Sequence, residues 1–254
     1  ARARRARATL RRQTEPEVFQ LDSLFLEKQI CYPFGFGNEP DEHFVASKVE
    51  GNIVENDDFG PERALAFAER GAALAKEPDD VVTRNLLRGR LRCEAGEGGP
   101  AVDAYGVALA AAQRPADRCR ALIGIAAGQR LIAGLDEALA ALAAAEPLAR
   151  APGLERELAE LHYTRGNLYF ARGDIAACGV EHGAALACAR SLDDPAWEAR
   201  ATSGLADAAY AEGRMRTALA RFRHCVALCD AHGLTRVAIP NRVMVGHCRI
   251  YMTE

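Results

Sequence analysis

From Gly60 onward, apolar and polar positions alternate with a helical period, and the pattern recurs at a fixed interval. Leu161-His162-Tyr163-Thr164-Arg165-Gly166-Asn167-Leu168-Tyr169-Phe170-Ala171-Arg172-Gly173-Asp174 and Thr202-Ser203-Gly204-Leu205-Ala206-Asp207-Ala208-Ala209-Tyr210-Ala211-Glu212-Gly213-Arg214 are two copies of one helical run ending at a glycine, with Gly173 and Gly213 40 residues apart. Earlier copies reach their turns at Gly96 and Ala133. Five residues after each turn stands a small residue (Ala101, Ala138, Cys178, Ala218), four further a larger one (Tyr105, Leu142, His182, Phe222), and three further another small one (Ala108, Ala145, Ala185, Cys225).

This spacing predicts two antiparallel helices per repeat. Small residues mark where helix backbones cross closely, the large residue fills the gap beside them, and glycine at the turn permits a left-handed residue ending the first helix. One such pair cannot bury its apolar face alone, so the pairs must stack. The predicted units are a half-repeat over 60–77, full repeats over about 79–114, 116–151, 154–192 and 195–232, and a half-repeat over 235–254. Pro61 opens the first half-repeat, with Ala64 at its close crossing, and Gly246 takes the small position of the last, whose far face is left uncovered. The uncovered face suggests that the natural protein continues or that something caps it. Pro147 lies late in a second helix and is expected to end or kink it.

Two further zones precede the repeats. Residues 1–12 form a basic arm with six arginines and no acid, read as a solvated end rather than a phosphate-binding arm. Residues 13–59 are strongly acidic and of uncertain, irregular fold, with Lys28 and Lys48 the only basic residues against eleven carboxylates. Within them, Val18 to Ile30 is compatible with a short amphipathic helix, and Pro33, Gly35 and Gly37 break the pattern that follows.

Composition adds that the core must be small-grained. Apolar residues make up 49% of the 254 residues but aromatics only 6%, and alanine and leucine dominate the repeats, which favours helix. A net charge of −3 gives no pull towards nucleic acid, and none is expected as a partner. The most alanine-rich run, Ala133 to Ala145, carries Asp136 and Glu137 and is shorter than the ~20 residues of a membrane span, so no membrane partner is expected. Of the eight cysteines (Cys31, Cys93, Cys119, Cys178, Cys188, Cys225, Cys229, Cys248), most sit in alanine-rich helical runs as small apolar residues, which points to a reducing, cytoplasmic setting.

The repeats resemble tetratricopeptide (TPR) repeats, with Gly89/Gly96 and Gly166/Gly173 at that family's glycine spacing. The resemblance implies an all-α fold: an antiparallel helix-pair solenoid winding as a right-handed superhelix behind an irregular N-terminal segment. Departures are a period of 37 to 40 residues instead of 34, and Ala126 and Ala206 in place of the first glycine. Arg118-Cys119-Arg120-Ala121-Leu122-Ile123-Gly124, Arg165-Gly166-Asn167-Leu168-Tyr169-Phe170 and Gly213-Arg214-Met215-Arg216-Thr217-Ala218 are similar to the C-terminal repeat region of bacterial multidomain proteins that carry a class III adenylate/guanylate cyclase domain and an AAA-type ATPase domain. That likeness implies a regulatory portion of a larger signalling protein, with any cyclase or ATPase motifs outside this sequence.

Candidate chemistry is sparse. No phosphate loop, metalloprotease helix or nucleophile elbow occurs, so no catalytic residue, cofactor or enzymatic activity is expected of this chain. His224, Cys225, Cys229 and His232 have a spacing that zinc can use, but Cys225 holds the repeat's small position and Cys229 follows one turn later, which favours packing. Partner binding is expected on the concave face of the first helices. The family's contact offsets imply Arg90, Arg120, Arg130, Tyr163, Asn167, Arg200, Asp207 and His247, with the four arginines as a basic stripe for an acidic peptide. The partner expected is a protein or peptide, another domain of the same polypeptide included.

Overall fold

The computed structural model describes residues 61–252; the basic arm and the acidic segment, with Cys31, lie outside them. Ten α-helices follow one another: α1 (Pro61–Leu74), α2 (Pro78–Glu94), α3 (Gly98–Ala111), α4 (Pro115–Leu131), α5 (Leu135–Ala149), α6 (Glu155–Arg172), α7 (Ile175–Ser191), α8 (Pro195–Ala211), α9 (Met215–His232) and α10 (Thr235–Tyr251). No strand occurs among the described residues. Each helix packs on its sequence neighbour, giving an all-α stack of antiparallel pairs. The first helices of successive pairs also touch, α2 with α4, α4 with α6, α6 with α8 and α8 with α10. The second helices form no such row, so the first helices line the inside of the curve.

Start and stop signals are written locally. Proline occupies the first turn of α2, α4 and α8, where its missing N–H costs nothing. Asp194 caps α8, its carboxylate accepting from the N–H groups of Ala196 and Trp197 at 3.0 Å each. The helix α5 runs two residues past Pro147 before it stops at Ala149. At the end of α6, Gly173 adopts φ 81°, and its N–H donates to Phe170 while that of Asp174 reaches back to Tyr169.

Ala133 holds the equivalent turn at φ 60° with a Cβ in the way. A left-handed residue with a side chain costs about 1–2 kcal/mol. Ala133→Gly is therefore expected to stabilise the protein by about 1 kcal/mol, read as an upward shift of the urea unfolding midpoint; an unchanged or lowered midpoint would contradict it.

The core is built from alanine and cysteine around isolated large residues. Tyr105 of α3 stands between two glycines of adjacent first helices. A Cβ on Gly89 would lie 2.7 Å from its ring and one on Gly124 only 2.3 Å. His182 of α7 repeats the device, with Gly166 at 2.8 Å and Gly204 at 2.5 Å. Leu142 and Phe222 are fully buried at the matching positions of the other two pairs, packed with alanines of α4 and α8 such as Ala126 and Ala206. One side chain per outer helix thus plugs the gap between two inner helices, locking each pair to the next. The cysteines serve as packing: Cys119 Sγ lies 3.8 Å from the carbonyl of Ala145, and Cys225 Sγ donates to that of Ala199 at 3.2 Å.

Candidate partner-binding face on the inner helices

The inner helices supply the candidate face: Arg90 and Glu94 from α2, Arg120 and Arg130 from α4, Glu160, Tyr163 and Asn167 from α6, Trp197, Arg200 and Asp207 from α8, and His247 from α10. Their regular recurrence follows from helix geometry, since residues three, four or seven apart share one side. On α6 this places Glu160, Tyr163 and Asn167 together, and on α8 it places Arg200 and Asp207.

Part of this face is an aromatic and cationic cluster. The Arg200 guanidinium lies over the Trp197 ring, 4.7 Å from its centroid. Tyr163 meets the edge of Trp197 with ring centroids 5.6 Å apart, and on its other side tilts against His182 at 5.4 Å. Asn167 hydrogen-bonds the Tyr163 hydroxyl. Arg200 is 4% exposed, Arg130 8%, Asn167 7% and Asp207 3%, unusually deep for such side chains.

The electrostatics describe an enclosed space. Burial lowers the affinity of the Arg200 and Arg130 guanidinium groups for their proton, an effect that Tyr163 partly offsets at both and Glu160 at Arg200. Burial raises the Tyr163 hydroxyl and the Glu160 carboxyl, with Arg200 pulling both down. Yet Glu160 and Tyr163 each keep part of their surface in solvent. Glu160 and Tyr163 are thus closely surrounded by neighbouring side chains while still reaching solvent. One long-range ion pair spans the curve: Arg236 at the start of α10 meets Glu94 at the end of α2 at 3.3 Å.

The eight residues singled out by sequence do not all converge. Tyr163, Asn167, Arg200 and Asp207 form the cluster with Arg130 nearby, coupled through Tyr163. Arg90 is half-buried on α2, and His247 half-buried on α10. Arg120 stands apart at an exposed position. It bridges to Glu157 of α6 at 2.6 Å and to Asp117 at 3.7 Å, and so joins one repeat to the next. The lining is also less basic than a stripe of arginines: Glu94, Glu160 and Asp207 share it with Arg90, Arg130 and Arg200. Glu94, Glu160 and Trp197 are the members that the sequence pattern did not assign to this face. Glu160 was findable, since it falls one helical turn before Tyr163.

The Cys225 and Cys229 side chains are buried while His224 and His232 are exposed. Among the described residues no group of three or more His, Cys, Asp or Glu side chains is placed to hold a metal ion. No described helix is long and apolar enough to cross a membrane.

Solved structures share this architecture. A Rap protein complexed with competence and sporulation factor matches with a TM-score of 0.67 at 13% sequence identity, over 94% of this chain and 73% of that one. Aspartyl phosphate phosphatase F from Bacillus subtilis matches with a TM-score of 0.61 at 10% identity, over 85% of this chain and 61% of that one. BtubC (BKLC) from P. vanneervenii matches with a TM-score of 0.52 at 19% identity, over 77% and 93% respectively. At these identities the likeness is one of fold, and the fold is a tetratricopeptide-like helical repeat. No protein-family model matches the chain, and no curated sequence does.

Proposed function

We propose that the chain is a protein-interaction scaffold that receives an extended peptide segment, from another protein or from another domain of its own polypeptide, along its inner helices. The observation that carries this reading is the cluster of Tyr163, Asn167, Trp197 and Arg200, where two aromatic rings, an amide and a guanidinium converge on the inner helices, Tyr163 part-exposed over the buried other three. Aromatic rings offer contact area at small entropic cost, an amide suits a peptide bond, and a guanidinium suits a carboxylate. The mixed lining favours a peptide carrying both charges over a purely acidic one. The Rap structure complexed with competence and sporulation factor supports the reading by analogy of fold.

The finer setting is a regulatory arm of a larger cytoplasmic signalling protein, of the kind with cyclase and ATPase domains. It is supported by the residues around 118–124, 165–170 and 213–218 alone.

A random dodecapeptide library displayed on phage and selected against the full chain tests the proposal. Selected peptides should bind Arg200→Ala at least tenfold more weakly, a loss of about 1.4 kcal/mol, and Tyr163→Phe, which removes only a hydroxyl, several-fold more weakly. Peptides that bind wild type and both folded variants equally would overturn the assignment of the face.

A further inference from the structure

We propose that the outward face of α10 is a docking surface for the chain's own acidic segment, Glu15 to Ile30. On α10, Ile239, Val243 and Ile250 fall at the spacing of one helical face and are 48%, 54% and 72% exposed. Gly246 lies between them, and a Cβ added there would meet nothing within 4 Å. In the repeats before it, the matching first-helix glycines are occupied: Gly89 faces the ring of Tyr105 and Gly166 that of His182, both from the helix that follows. The last inner helix therefore presents an apolar stripe with an open notch at the place where every other pair receives a large side chain.

The flanks of the stripe are basic. Arg236 borders one side, Arg242 and Arg249 the other, and all three are exposed. Arg236 and Arg242 also pair with Glu94 and Asp230. A second copy of α10 laid on this face would bring these arginine rows against each other, which disfavours self-association. An acidic amphipathic segment meets no such penalty, and the sequence contains one. Val18, Leu21 and Phe25 are spaced as one face of a helix, with Glu17 on one flank and Glu15 and Asp22 on the other. Apolar stripe matches apolar stripe, carboxylates oppose guanidinium groups on both sides, and Phe25 supplies a side chain large enough for the notch at Gly246.

The segment can reach. Residues 31–60 span up to about 100 Å when extended. The superhelix also shortens the path, since the Arg236–Glu94 contact sets the start of α10 beside the end of α2.

Hydrogen–deuterium exchange on the full chain tests this. Residues 18–30 should be protected at low protein concentration, and Val243→Asp should accelerate their exchange at least tenfold. Val243 is mostly solvent-exposed, so this change leaves the core intact. Phe25→Asp, which does not touch α10, should produce the same release. Absence of protection in the wild-type chain, or protection that persists in both variants, would overturn the proposal. So would protection that grows with concentration alongside a doubled sedimenting mass, which would assign the face to a second copy. The peptides selected against the inner face should bind these variants unchanged, so the two proposals stand or fall separately.

Discussion

Replacing Gly124 with alanine is expected to destabilise the solenoid by about 2–3 kcal/mol, although alanine is the better helix former by ~1 kcal/mol. The new Cβ would stand 2.3 Å from the Tyr105 ring, far inside contact distance. The ring has no retreat, because the backbone of α2 holds its opposite side, where even a Cβ on Gly89 would come within 2.7 Å. Relief requires α4 to move away from α3, which loosens the joint between two repeats. Tyr105→Leu should restore part of the loss when combined with Gly124→Ala, giving a favourable coupling in a double-mutant cycle. Gly183→Ala on α7 is the control. A Cβ there meets nothing within 4 Å, so it should stabilise by up to ~1 kcal/mol. Urea unfolding of wild type, the two single variants, the double variant and Gly183→Ala checks the set, and a Gly124→Ala protein as stable as wild type would refute the plugged-gap account.

Acidification should weaken the second plugged gap through His182. Its ring is 1% exposed, burial lowers its pKa from 6.5 to about 4, and its Nδ1 has no hydrogen-bond partner among the described residues. The nearby Glu181 carboxylate opposes the shift only in part. A folded-state pKa below the unfolded one means that the unfolded chain binds the extra proton. The stabilisation is therefore complete above pH 6.5 and is lost as pH falls towards 4, by about 2–3 kcal/mol at pH 4.5. His182→Phe should abolish this part of the acid sensitivity, since a flat ring already fits between two glycines at Tyr105. The measurement is the difference in unfolding free energy between pH 7 and pH 4.5 for the two proteins. Equal losses would mean that His182 does not carry the effect. Glu146, held down at about 2 mainly by Arg165 and Arg150, loses its contribution as pH falls below its ordinary 4.5, mostly beneath the window in which His182 titrates.

Much of this architecture was legible because it is periodic. The offsets that place Ala101, Tyr105 and Ala108, and then Cys178, His182 and Ala185, are direct consequences of helix pitch and of one crossing geometry used repeatedly. The same periodicity located the inner face, because positions seven apart on a first helix must look the same way. Two glycines escaped notice. Gly124 and Gly204 precede Ala126 and Ala206 by two residues, off the family's spacing, and their role appears only when the neighbouring Tyr105 and His182 rings are in place.

The candidate face was only partly legible, for an electrostatic reason. Four arginines on first helices read as a basic stripe because a sequence shows charges without their partners. In space, Arg120 turns to Glu157 across a repeat boundary, 37 residues away, and Glu94, Glu160 and Asp207 enter the lining from the same helices. Trp197 lies three residues before Arg200 and is buried; the packing of α6 against α8 shows that its ring carries both the guanidinium and Tyr163.

By itself, then, the sequence determined the all-α class, the stacked helix pairs, the small-and-large packing code and the side on which a partner is expected, since all of these depend on interactions within about forty residues. Tertiary structure alone decided which charges are neutralised and how far the curve closes through Arg236 and Glu94. Those outcomes depend on contacts as distant as 142 residues, set by small rotations between repeats that accumulate along the stack and leave no local mark.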